Sequence, residues 1–257
     1  MATSNSRLAR PWLRRAAVAF AVAVTGAVLA DEAQQKIFAA RARAQYQRAK
    51  MQYETDAGNI TNVWHFASAA FDAAEFSTNK VERAALANEG IAASRSLVAR
   101  KSKWVAGHYY LAMNLGQLAR TETIGALKIV KEMEIEFNEA ADLDPRFDHA
   151  GPVRDLGLLY RDAPGWPVSI GNPSKARSFL RQSVRLAPDY PENYLHVIES
   201  YLKWNDPDTA RRELHHLDAI WPAARTNLTG EKWGAKLDNW STRRDAARKQ
   251  LVITPAR

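Results

Sequence analysis

Met133-Glu134-Ile135-Glu136-Phe137-Asn138-Glu139-Ala140-Ala141-Asp142-Leu143-Asp144-Pro145 is the stretch that decides the fold, because its skeleton occurs three times. Reduced to its spacing it is Met133-x3-Phe137-x2-Ala140-x4-Pro145. The same spacing returns as Ala176-x3-Leu180-x2-Ser183-x4-Pro188 and as Ala210-x3-Leu214-x2-Leu217-x4-Pro222. Positions separated by four and three residues share one face of a helix. A proline five residues past the last of them marks where that helix is expected to stop, since proline cannot continue it. Pro188 and Pro222 are 34 residues apart, the length of a helix-turn-helix repeat.

Upstream of each closing helix a partner is expected, with a small residue where the two helices approach. Val153-x2-Leu156-Gly157-x2-Tyr160 resembles the opening helix of a tetratricopeptide unit. Weaker forms are Trp64-x2-Ala67-Ser68-x2-Phe71, His108-x2-Leu111-Ala112-x2-Leu115 and Tyr194-x2-Val197-Ile198-x2-Tyr201. Ser68, Ala112 and Gly157 recur at intervals of 44 and 45, so the first three units are longer than 34 residues, with the excess between the paired helices. Ile198 at the small position of the fourth unit implies wider helix separation there. Periodicity thus predicts helices near 61–76 and 80–100, 104–119 and 124–142, 150–161 and 173–186, and 191–204 and 207–219. The expected fold class is all-α, a tetratricopeptide-like α-solenoid of four antiparallel helix pairs over 59–222. A leading helix in 31–58 and a capping helix with a tail in 223–257 flank it, as the ends of a stacked array require. Apolar residues do not alternate in the manner of strands, and no sheet is expected.

The first thirty residues form a separate unit. Arg7, Arg10, Arg14 and Arg15 precede a fifteen-residue stretch, 16–30, that is mostly apolar and ends Val28-Leu29-Ala30. A spanning helix needs about 20 residues. The arrangement has the three parts of a secretory signal; an uncleaved N-terminal anchor is the rival reading. Both place the repeats outside the cytoplasm, periplasmic or extracellular, with membrane attachment only if the segment is retained. Without those four arginines the formal charge falls from +8 to +4. The remainder is mixed in sign and carries no basic block of the kind that binds nucleic acid. The absence of cysteine excludes disulfides, thiolate metal sites and a lipid-modified cysteine.

Catalytic signatures are not found. Six histidines include no H-x3-H pair, and His215 and His216 diverge by about 100° on a helix. No nucleophile elbow or phosphate-binding loop occurs. A non-enzymatic protein without cofactor or metal is the expectation. The segment 161–173, RDAPGWPVSIGNP, places three prolines and two glycines in thirteen residues and is read as a stiff insertion between two helices. Trp166 in it is either a ligand-contacting ring or a plug onto neighbouring helices. Opening helices line the concave side of such arrays, which makes Tyr109, Asn114, Arg154, Arg161, Trp166, Asn193 and Tyr194 the candidate binding residues. Two alternatives stand beside that reading: Arg154 in an internal salt bridge, and Asn114 bonded to backbone between repeats.

Several runs resemble the TRAP-transporter-associated T-component family: GHYYLAMNLGQLAR at 107–120, GPVRDLGLLY at 151–160, APGWP at 163–167 and LAPDYPEN at 186–193. The similarity covers about residues 60–220; in plan it extends to the regulators of microtubule dynamics. The resemblance implies a periplasmic helical array that associates with the solute-binding protein of a transporter and passes a hydrophobic or carboxylate ligand. The chain departs from a lipid-anchored form, because no cysteine follows the signal-like segment. An envelope assembly scaffold that binds peptides or proteins uses the same groove and is the alternative. Exposed end helices leave room for a homo-oligomer.

Overall fold

A computed structural model describes residues 32–122 and 125–253. The secretory or anchoring segment read at 1–30 lies outside the described residues. Among the described residues ten helices follow one another: α1 (Glu32–Thr55), α2 (Ile60–Phe76), α3 (Lys80–Arg100), α4 (Val105–Ala119), α5 (Ala126–Leu143), α6 (Phe147–Asp162), α7 (Pro173–Leu186), α8 (Pro191–Lys203), α9 (Pro207–Asn227) and α10 (Glu231–Ile253). Among the described residues there is no strand, and one isolated bridge joins Gly165 to Gly171.

Side-chain caps and prolines set several helix starts. Asn59, Asn79 and Asn172 accept from backbone amides in the first turns of α2, α3 and α7, and Asp206 accepts from Thr209 at the start of α9. Each such cap satisfies an amide that the helix cannot. Pro173, Pro191 and Pro207 occupy first-turn positions, where the missing N–H costs nothing.

Consecutive helices pack as pairs: α2 with α3, α4 with α5, α6 with α7, α8 with α9. Each opening helix also touches the next, α2 on α4, α4 on α6 and α6 on α8, which places the opening helices along one side of the array. All nine apolar or small positions of the thrice-repeated skeleton are buried, from Met133 through Leu217. Gly157 is required where α6 meets α7, since a Cβ there would sit 2.7 Å from Leu180 Cγ. In the fourth unit Ile198 fills the small position and is itself fully buried.

Pro145 and Pro188 follow the ends of α5 and α7, as expected, but Pro222 does not end its helix. α9 continues to Asn227. A proline inside a helix costs about 3 kcal/mol. The extension buries Trp221 and Ala224 on the same stripe as Ala210, Leu214 and Leu217, and burial of a large side chain returns about 2–3 kcal/mol. α10 holds the extension from outside. Arg244 and Arg248 both donate to Asp218, and the Arg244 guanidinium lies 4.7 Å from the centre of the Trp221 ring.

α1 packs on α2, with Tyr53 stacked on Phe66 and Lys50 bonded to Glu89 of α3. α10 packs on α8 and α9. Arg41 of α1 lies 3.6 Å from Glu231 of α10, so the two ends of the array meet.

Candidate functional site

The polar residues singled out on the opening helices converge inside the protein. Tyr109 of α4 donates to Asp148 at 3.1 Å or to Asp155 at 3.0 Å, both on α6. Arg154 lies against Asp155 and donates to the Tyr109 hydroxyl and to Asn193 Oδ1 on α8. Asn193 Nδ2 in turn lies within 3.1–3.3 Å of the carbonyls of His149, Ser183 and Ala187. Arg161 donates to Asp162 and to Ser200 Oγ on α8, while Lys203 reaches the same Asp162 carboxylate at 2.6 Å. Asn114 donates to the carbonyls of Tyr110 and, one unit back, of Ala67. Tyr194 is buried in the apolar cluster of the last two units.

Tyr109, Asn114, Arg154, Arg161, Asn193 and Tyr194 are therefore internal, with side chains engaged by neighbouring helices. All but Tyr194, which packs in the apolar cluster, are polar ties between helices. Of the two readings of Arg154, the internal ion pair is the observed one, and Asn114 bonds to backbone of the preceding unit. Of the groups they answer, Asp148, Asp155, Asp162 and Ser200 were not among the candidate binding residues, and Glu192, an expected ion partner of Arg154, instead lies beside His196, Lys236 and Arg243. Arg154 meets Asn193 and Arg161 meets Ser200 at the same separation of 39 residues, so both contacts join α6 to α8 in one register.

The start of α6 is unusual. Asp148, His149 and Ala150 have φ of 47°, 57° and 66°, a left-handed turn that costs about 1–2 kcal/mol per residue outside glycine. Neighbours over-determine it. Asp148 accepts from Tyr109, the His149 carbonyl accepts from Asn193, and the His149 ring stacks on Tyr190 with centroids 4.1 Å apart. Trp233 of α10 meets both rings edge-on.

Electrostatics in this region follows burial. Burial, with Asp155 and Asp148 beside it, holds the Tyr109 hydroxyl well above the usual phenol range. Burial pushes Asp155 up against the opposing pull of Arg154. On α8, burial and then the Arg243 charge lower His196 to about 4, although Glu192 and Glu199 pull the other way. Arg243 itself bonds both oxygens of Glu199. The imidazole at His196 is thus neutral at neutral pH. The described residues hold no group of three or more acids, histidines or cysteines arranged for a metal.

Trp166 stands apart from these six. It is 89% exposed, on a loop whose base is fixed by Gly171 N–H to the Pro164 carbonyl and Asn172 N–H to the Tyr160 carbonyl, both at 2.8 Å. Trp166 precedes Pro167 through a cis peptide, and Val168 beside them is also exposed. The ring does not plug a core.

Helix pairs in register, opening helices along one side and buried small residues at the pair contacts define a tetratricopeptide-like α-solenoid. A solved structure described as a thermophilic TPR protein from Thermus thermophilus is similar, with TM-score 0.60 over 82% of this chain and 92% of that one, at 18% identity. No family model matches the chain, and no curated protein does. The similarity establishes the fold.

Proposed function

We propose that the protein is a non-catalytic scaffold that works outside the cytoplasm, in the periplasm, and holds a partner protein against its helical array. The observation that carries this reading is Trp166, a large aromatic ring presented to solvent from a loop that is anchored at both ends. Rigid, exposed aromatic rings are the groups that protein interfaces use as anchors. Tyr109, Asn114, Arg154, Arg161 and Asn193 of the opening helices are spent on holding units together, which favours partner contact at the loops and outer faces. The arginine-led apolar stretch at 7–30 supports export. Resemblance at 107–120, 151–160 and 186–193 supports a transporter-associated role, with a periplasmic solute-binding protein as the partner.

Affinity capture from envelope extract tests this. Recovery of a solute-binding protein by the parent chain, and its loss with Trp166→Ala, is the expected result. Recovery of assembly factors alone moves the reading to an envelope assembly scaffold. Capture of small molecules with no protein would defeat it.

A further inference from the structure

α7 carries arginine at 177, 181 and 185, one residue per helical turn along a single face. Such a stripe is locally unfavourable, because like charges four residues apart repel by a few tenths of a kcal/mol per pair. Several arginines elsewhere are answered by acids, Arg95 by Glu132, Arg120 by Glu75, Arg243 by Glu199 and Arg244 by Asp218, while Arg83, Arg100 and Arg146 donate to backbone carbonyls. Among the described residues Arg177, Arg181 and Arg185 form no ion pair with any carboxylate. Arg177 instead lies over the Trp204 ring at 4.5 Å and Arg181 over the Tyr201 ring at 5.7 Å. A guanidinium placed over a ring keeps its N–H edge free while its plane is held, which prepares it for carboxylates.

Open clefts of about 330 and 400 Å³ adjoin this stripe and share Arg181 and Arg185. The first runs between α7, α8 and α9, with Val184, Val197 and Thr209 in its walls and Arg212 on its far side. Glu213 lines the first cleft, and Asp206, which caps α9 through the Thr209 amide, also feels the charges of Arg212 and Arg177. Four guanidiniums so arranged exceed what those two carboxylates neutralise.

We propose that this groove docks an acidic peptide segment of the partner, a claim that rests on the scaffold reading above and names its second contact surface. Successive arginines on α7 are about 6 Å apart along the helix axis. Alternate side chains of an extended chain are about 6.6 Å apart, so a segment with an acid at every second position meets the stripe in register.

The test uses the full chain and a fluorescein-labelled (Glu-Ser)5 peptide at about 20 mM salt, where charge contacts are weakly screened. Arg181→Gln with Arg185→Gln is compared with Lys101→Gln with Lys103→Gln, an equal loss of charge at exposed positions away from the groove. About tenfold weaker peptide binding by the first pair and under about twofold by the second is expected. Equal effects of the two pairs overturn the proposal. So does binding to phosphatidylglycerol vesicles in place of the peptide, or no peptide binding by the parent chain. Envelope capture separates the two claims. A partner recovered equally by parent and R181Q/R185Q leaves the scaffold standing and removes the groove. Groove-dependent peptide binding with no captured protein removes the scaffold reading alone.

Discussion

Arg243 Nη2 lies 3.2 Å from His196 Nδ1, and because a guanidinium can only donate, that nitrogen must accept. The imidazole proton therefore sits on Nε2, on the side of Glu192 at 3.8 Å. A second proton would place a cation against Arg243 in a buried site.

His196 consequently sets an acid limit. Its folded value of about 4 lies below the ordinary 6.5, so the folded state resists a proton that the unfolded chain accepts. The stability involved is fully present above about pH 6.5 and is lost as the pH falls toward 4. Roughly 2–3 kcal/mol should disappear between pH 7 and 4.5. Glu199 and Asp218, both held below the usual carboxylate range, add their losses at still lower pH. Urea denaturation of the parent and of His196→Gln across that window checks this. A parallel decline in both proteins would show that the imidazole is not responsible.

Arg154 is the cation of a buried pair, and removing it alone strands Asp155. Arg154→Met should cost about 3–5 kcal/mol, and Arg154→Met with Asp155→Asn should recover a large part of that loss. Chemical denaturation of single and double variants measures it. A double variant no more stable than the single would mean that Asp155 finds other partners.

Pro222 lies inside α9, which continues past it. Pro222→Ala restores a backbone donor in the middle of α9, and a gain of about 1–3 kcal/mol is expected. A lower thermal midpoint would indicate that the α9–α10 packing depends on the proline ring.

Trp166 makes no core, so Trp166→Ala should leave helical circular dichroism unchanged and stability within about 0.5 kcal/mol. Affinity for the captured partner should fall by about tenfold or more in calorimetry, as for an interface anchor. Equal affinity would take the ring out of the interface.

Much of the architecture was readable from local pattern. The spacing around Phe137, Leu180 and Leu214 identified the buried faces, and Asn172-Pro173 and the proline-glycine run before it marked the edges of a loop. Pro222 misled because local rules weigh only the lost hydrogen bond. The compensating contacts come from Arg244 and Arg248, on a helix that follows in sequence but whose position is a tertiary matter. The left-handed turn at 148–150 had no local signal either, since none of its residues is glycine and its support comes from Asn193 and Tyr190, more than 38 residues away.

What the chain determined by itself is the succession of helices and the stripe each one buries, because both depend on periodicity and on residues within one or two turns. Which polar groups face solvent was decided only by stacking. Tyr109, Arg154 and Arg161 look like groove residues on isolated helices, yet each meets an acid or hydroxyl of the same or a neighbouring opening helix once units are in register. The arginines of α7 look like an ordinary solvated face, and only the placement of Trp204 and Tyr201 beneath them reveals ordered cations. Register between units rests on contacts 39 to 47 residues apart, a distance at which helical period carries no information.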